Sequence, residues 1–196
     1  IFHNPDREPL QDLDEFFYPA WHLFELEYYK THPMISLYDV ALPIQASRGC
    51  AYQCIFCSQD TIYKKPRYRQ ITNVIDEIEY IYNNFGVKCF VFIDAYFPFS
   101  IEHGLKFCDE FMRRGLHKKI KWVIETRVDK VDLKLLRRMK KAGLHLIMYG
   151  FEVGNQRVLD SLKKRATLEQ ARQAMRDTKK ANILTLGVLG NMIETD

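Results

Sequence analysis

No apolar run in these 196 residues approaches the roughly 18 positions that span a bilayer, and the N-terminus lacks the basic-then-apolar order of a signal peptide. Only nine glycines are present, too sparse and too scattered for a dinucleotide fingerprint, and no Walker-type phosphate loop occurs. Charge of one sign is not in large excess: the net charge of +4 is mild and interspersed, so there is no clear nucleic-acid signal. Cysteine is limited to five residues, an odd number with three of them clustered, which excludes a paired disulfide framework and fits a reduced compartment. Low-complexity tracts are missing, and so is any repeat beyond a simple alternation of elements. With 47% apolar and 28% charged residues, the chain reads as globular, without a membrane span, cytoplasmic and large enough for one core. It begins at Ile1 and stops at Asp196, soon after an apolar strand, and so reads as a piece of something longer.

What is present is a cluster of thiols. Cys50, Cys54 and Cys57 form a CxxxCxxC run directly after a strand-like segment. Thiolates are soft ligands and select zinc, copper(I) or iron-sulfur centres over magnesium or calcium. A structural zinc site is normally closed by four Cys or His ligands, but no Cys or His follows within about twenty residues, and the nearest preceding histidine is His32. A 4Fe-4S cluster held by three cysteines keeps one iron open to an exogenous molecule. Cys89, in an apolar run, and Cys108, on a helical stripe, read instead as core.

The run Ser47-Arg48-Gly49-Cys50 to Phe56-Cys57 resembles the signature loop of the radical S-adenosylmethionine enzymes. The resemblance implies that Cys50, Cys54 and Cys57 bind the cluster, that S-adenosylmethionine chelates the open iron, and that Phe56 lies against the adenine. It implies reductive cleavage of S-adenosylmethionine to a 5′-deoxyadenosyl radical that attacks a small-molecule substrate, with flavodoxin or ferredoxin as electron donor. The chain is most similar to the cobalamin-dependent branch, which includes methyltransferases and ring-forming enzymes; cobalamin would be bound by a domain outside this chain. A methylthiotransferase is the nearest enzyme alternative, separable by three further cysteines in a preceding region. A non-catalytic zinc or iron-sulfur binding module is the alternative from another class.

From residue 42 onward, short β-type runs alternate with amphipathic helical patterns, as in repeated βαβ units with a parallel sheet. Strands are expected at Leu42 to Ala46, Cys89 to Ile93, Trp122 to Thr126, Leu146 to Phe151 and Ile183 to Leu189. Thr72 is the expected N-cap of a helix over Asn73 to Phe85, while Ser100 and Asp132 cap the next two. Thr167 to Gln170 opens a later helix as a capping box. An eight-fold barrel takes about 250 residues, so five βα units form a partial (β/α) barrel. The resemblance implies a six-unit partial barrel, of which the sixth unit is missing from this chain. Residues 41–196 read as this core, and 1–40 as a linker or cap segment, its acids interleaved with aromatics from Phe16 to Tyr29. The Leu13 to Trp21 stretch resembles the linker ahead of the core in the cobalamin-binding branch. The basic cluster Lys64 to Arg69 reads as a solvated loop, with a substrate or phosphate contact as the alternative.

Ligand-binding groups of parallel barrels gather at the carboxyl ends of strands. There the sequence offers Asp94, Glu125, Arg127 and Glu152, and then Gly190 to Thr195. Arg127 suits a carboxylate partner because a guanidinium fork donates paired, charge-assisted hydrogen bonds. The resemblance extends cofactor contacts to Asp94, Glu125, Arg127 and Glu152; no residue is assigned to catalysis on the substrate. Gly190-x-x-x-Glu194-Thr195 resembles a Gly-x-Pro-Gly-Glu-Thr turn in which Met192 and Ile193 replace Pro-Gly.

Overall fold

The computed structural model describes residues 4–5, 8–36, 38, 40–59 and 65–190. Five strands form one parallel sheet: β1 (Leu42–Ile44), β4 (Cys89–Phe92), β5 (Lys121–Thr126), β6 (Leu144–Glu152) and β7 (Leu184–Leu189), in that spatial order. Two short strands, β2 (Ser47–Arg48) and β3 (Arg67–Tyr68), pair antiparallel on either side of the cysteine loop. Helices α1 (Ile71–Phe85), α2 (Ile101–Arg113), α3 (Leu133–Lys141), α4 (Gln156–Ser161) and α5 (Leu168–Lys180) lie between the strands. This is the open, partial βα barrel read from the strand spacing, with β1 and β7 as its edges.

The helices bury apolar stripes against the outer face of the sheet. Ile75, Ile78 and Ile81 of α1 are fully buried, as are Phe107 and Phe111 of α2 and Leu135, Leu136 and Met139 of α3. Each full burial of such a side chain stabilises the fold by about 1.5–3 kcal/mol before entropy is counted. Between sheet and helices, Phe92, Phe97, Phe107 and Trp122 form an edge-to-face and stacked cluster. The Trp122 indole donates to the Ala142 carbonyl at 2.9 Å, so its one polar atom is satisfied where it is buried. Cys89 and Cys108 are completely buried, as their sequence setting implies.

Three capping residues act where expected: Ser100 accepts from His103 N, Asp132 from Leu135 N, and Thr167 with Gln170 completes a capping box. Thr72 does not. α1 starts two residues earlier, at Ile71, and Gln70 precedes it without a side-chain cap. The reason is long-range: Asp14 accepts from Gln70 N at 2.8 Å, so the N-terminal segment holds the helix entry.

The basic cluster is corrected for the same reason. Arg69 pairs with Glu77 at 2.5 Å and Asp14 at 3.5 Å and donates to the Gln45 carbonyl at 2.9 Å. Arg67 donates to the Leu10 carbonyl, and the Tyr68 ring lies 3.9 Å from that of Phe99. Arg67 to Arg69 are a clamp between the N-terminal segment, β1 and α1 rather than a solvated loop, while Lys65 is exposed; Lys64 lies outside the described residues.

Before β1, residues 10–36 make three short 3-10 turns, and only Leu13, Trp21 and Ser36 in them are buried. Further on, Ile35, Tyr38 and Ala41 pack against Cys89, Val123 and Leu146 near the starts of three strands, so this part plugs the amino end of the half-barrel. The carboxyl end stays free for a site.

Candidate functional site

The cysteine loop leaves the carboxyl end of β1 through a fixed turn. Gly49 sits at φ +92°, and a Cβ there would lie 2.8 Å from the Lys65 carbonyl oxygen; only glycine satisfies both the left-handed backbone and the close approach. Behind the turn, Asp94 is 2% exposed. Its carboxylate accepts from Ala46 N at 3.1 Å and from the Ser47 hydroxyl at 2.5 Å. Burial pushes its pKa up to about 6 against those hydrogen bonds. Asp94 is thus committed to the backbone that launches the loop.

Inside the loop, Cys57 N donates to the Cys54 carbonyl at 3.0 Å and Ile55 N to the Leu162 carbonyl at 3.1 Å. The Tyr52 hydroxyl donates to Asp129 at 2.9 Å. Arg127 closes this arrangement: its guanidinium stacks 3.5 Å from the Tyr52 ring centroid, Nε donates to Asp129 at 2.8 Å, and Nη2 donates to the Lys164 carbonyl at 2.8 Å. A residue read as a carboxylate fork therefore directs its Nε at Asp129 and its Nη2 at a backbone turn. It braces the cysteine loop against the link between α4 and α5.

That link carries Lys164, which sequence reasoning passed over. Lys163 and Arg165 on either side have φ of 53° and 54°, a conformation uncommon for side-chain-bearing residues and one that clusters at functional sites. The result turns Lys164 inward, 7% exposed. Its ammonium meets Glu152 at 2.5 Å and lies 5.9 Å from the Phe56 ring centroid. Glu152 has φ 64° and follows a register shift between β6 and β7 at Gly150 to Glu152, a bulge that re-aims its side chain. The ion pair lies over Gly150, where a Cβ would come within 2.6 Å of Glu152 Oε1 and 3.0 Å of Lys164 Nζ.

The sequence-predicted residues therefore divide. Cys54, Phe56 and Glu152 converge on Lys164, with Arg127 bracing from behind. Glu125 is exposed at the end of β5, and burial of part of its carboxylate raises its pKa. Residues 191–195, including Glu194 and Thr195, lie outside the described residues. Next to Lys164 and Val128, a cavity of about 270 Å³ is walled by Phe151, Val153, Leu159 and Leu189.

All five cysteines are free, with Cys50 and Cys54 half-buried and Cys57 exposed. Burial pushes the Cys54 thiol up, while Lys164 and Arg127 pull it down, so cations face the sulfur where a thiolate would need them. Among the described residues, no three Cys, His, Asp or Glu side chains gather tightly enough for a single metal ion. Three thiols spread along one loop, with Lys164 and Arg127 as the cations acting on Cys54, suit a multi-iron cluster whose cysteines each bind a different iron.

Residues 44–195 match the Radical SAM superfamily, and the chain belongs to that superfamily. It is 37% identical over 169 residues to an anaerobic magnesium-protoporphyrin IX monomethyl ester cyclase of Cereibacter sphaeroides, a match covering 85% of this chain and 27% of the relative. It is 27% identical over 188 residues to an uncharacterized methyltransferase of Pyrococcus horikoshii, covering 95% of this chain and 39% of that protein. The radical S-adenosylmethionine methyltransferase TsrM of Kitasatospora setae, solved with cobalamin and a [4Fe-4S] cluster, superposes with a TM-score of 0.68 at 20% identity, over 76% of this chain and 28% of that one. That likeness shares the fold. The chain spans well under half the length of these relatives.

Proposed function

We propose that this chain is the core of a radical S-adenosylmethionine enzyme in which Cys50, Cys54 and Cys57 hold a 4Fe-4S cluster, within a cobalamin-dependent methyltransferase or ring-forming enzyme. The observation that carries the reading is the braced three-thiol loop facing the Lys164–Glu152 pair at the carboxyl end of a parallel sheet. The cyclase and methyltransferase named among its relatives supply the class of net reaction, and the cobalamin would be held outside residues 1–196.

When bound, the cluster and S-adenosylmethionine supply one-electron cleavage of a carbon–sulfur bond, giving a 5′-deoxyadenosyl radical. The chain's own residues bind, orient and exclude water. Lys164 keeps one N–H on Glu152 and offers its remaining N–H donors to the methionyl carboxylate, while the other lone pairs of the Glu152 carboxylate accept from the methionyl ammonium or ribose hydroxyls. Phe56 and the apolar cavity shelter the adenine. Glu125 lines the open rim, Asp94 fixes the start of the loop, and Arg127 keeps the loop in register with Lys164. A one-electron donor of the flavodoxin or ferredoxin kind and a small-molecule substrate complete the reaction. No described helix is long and apolar enough to cross a membrane, and a reducing cytoplasm would keep the three thiols available.

Anaerobic reconstitution tests the reading. The wild-type protein should take up about four irons per chain, show broad iron-sulfur absorption and, given a strong reductant, convert S-adenosylmethionine to 5′-deoxyadenosine and methionine. Cys54→Ala should lose both cluster and product. One equivalent of zinc with no iron in the wild type would sink the proposal.

A further inference from the structure

The neck of the cysteine loop is too short to hold itself. Residues 46–49 lead in and residues 65–69 lead out, and the two runs pair as strands only through Ser47 with Tyr68 and Arg48 with Arg67. One further bond, from Arg69 N to the Ala46 carbonyl at 2.9 Å, extends the ladder. Even a longer two-stranded ribbon is marginal on its own in water, so the position of this neck must be set from outside. Asp94 does so for the incoming strand, through Ala46 N and the Ser47 hydroxyl.

For the outgoing strand the anchor lies in residues 10–16 of the N-terminal segment. Arg67 donates to the Leu10 carbonyl, and Asp14 accepts from Gln70 N at 2.8 Å. The Arg48 guanidinium lies 4.5 Å from the Phe16 ring centroid, so the segment grips both strands of the neck. The segment is itself fixed: Leu13 is buried, and Asp12 accepts from Asp14 N at 2.8 Å. Charge balance does not call for Asp14. Arg69 already meets Glu77 at 2.5 Å and donates to the Gln45 and Asn73 carbonyls at 2.9 and 3.3 Å, while its contact with Asp14 is longer, at 3.5 Å. What Asp14 supplies is the acceptor for Gln70 N, at the residue that joins the neck to α1.

We propose that residues 10–16 are a strap that sets the position of the cysteine loop, and that Asp14 is a positioning residue for the iron-sulfur cluster, acting through Gln70 and Arg69 on the neck. This rests on the reading of Cys50, Cys54 and Cys57 as the cluster ligands. Strap and brace hold the loop at different places: Arg127 meets Tyr52 inside it, whereas the strap meets its base, which Cys50 follows directly. Slack at the base shifts the thiols relative to Lys164 even where the Arg127 brace is intact.

Residue-resolved amide hydrogen exchange on the cluster-free full chain tests this, together with iron release from the reconstituted protein to bathophenanthroline. Losing a hydrogen bond to a charged acceptor multiplies local opening by about 10- to 150-fold. D14A should speed exchange at Ala46 and Arg69 by that factor, raise it at Ile55 and Cys57 inside the loop, and hasten iron release. D14N keeps a side-chain oxygen for Gln70 N and should restore most of each. D132A removes a helix cap from α3 and should lower Tm without moving either readout. Should D14A fail to fold, F16A, at a position 46% exposed, loosens the same strap by removing the Arg48 stack and should raise exchange at the neck about two- to fivefold. The proposal is overturned if these amides exchange in D14A, or in F16A where D14A does not fold, as they do in the wild type, if D14N is as loose as D14A, or if D132A moves them equally. Exchange is read without the cluster, so it is independent of iron; a wild-type chain that takes up no iron would sink the cluster reading itself, whatever the exchange shows.

Discussion

Replacing Lys164 by methionine separates a structural from a binding role for the inward-facing ion pair. The side chains of Lys164 and Glu152 are 8% and 12% exposed and lie 2.5 Å apart. Removing one partner of a buried pair strands the other charge, at a cost of about 3–5 kcal/mol, and the slight exposure places K164M at the lower end. For a chain of this size, about 3 kcal/mol lowers Tm by roughly 6–12 °C. E152Q/K164M should recover most of that loss, since neither charge is then left alone. Affinity for S-adenosylmethionine should not recover: a charge-assisted hydrogen bond contributes about 1.5–3 kcal/mol, or roughly 10- to 150-fold in Kd. Anaerobic calorimetry on the cluster-loaded protein measures the affinity, with iron content checked in the same samples. If the double variant binds S-adenosylmethionine as tightly as the wild type, Lys164 is a structural residue and its proposed role is wrong.

Arg127→Ala removes the stack on Tyr52 and the bonds to Asp129 and the Lys164 carbonyl, so the cysteine loop should loosen and iron uptake on reconstitution should fall several-fold; full iron content with only weakened S-adenosylmethionine binding would return Arg127 to a direct ligand role. Asp94 supplies a pH test. Its pKa is raised by burial from 3.8 to about 6, so between those values the folded protein holds more protons than the unfolded chain, and stability declines as pH rises through that window, by up to about 3 kcal/mol. Asp94→Asn should flatten Tm against pH between about 4 and 6; an unchanged slope would mean that Asp94 is not the group responsible.

The order of strands and helices was legible because it rests on local patterns: apolar stripes at helical spacing, short β-type runs, and the caps Ser100, Asp132 and Thr167. Thr72 failed as a cap because its rival, Asp14, is 56 residues from the backbone N–H of Gln70 that it takes, and no local pattern registers such a partner. The three-cysteine loop was legible as a candidate metal centre for the opposite reason, since its thiols are neighbours in sequence. Its surroundings were not. Arg127 was recognised as a fork suited to carboxylates, and in the structure its Nε donates to Asp129 and its Nη2 to the carbonyl of Lys164, 37 residues on, the latter a partner that no local pattern registers.

Lys164 was hidden in the run Lys163-Lys164-Arg165, which on charge alone resembles a solvated turn. What distinguishes it is backbone geometry: positive φ on both flanking residues turns the middle lysine against Glu152 while its neighbours remain exposed. Glu152, read from its place at a strand end, needs the same lysine for its charge to be tolerated where it is buried. The brace and the ion pair share one segment, since Arg127 holds the carbonyl of the residue whose ammonium holds Glu152. A displacement of the cysteine loop would therefore move the proposed carboxylate site with it, which makes cluster retention and S-adenosylmethionine affinity properties of one mechanical unit.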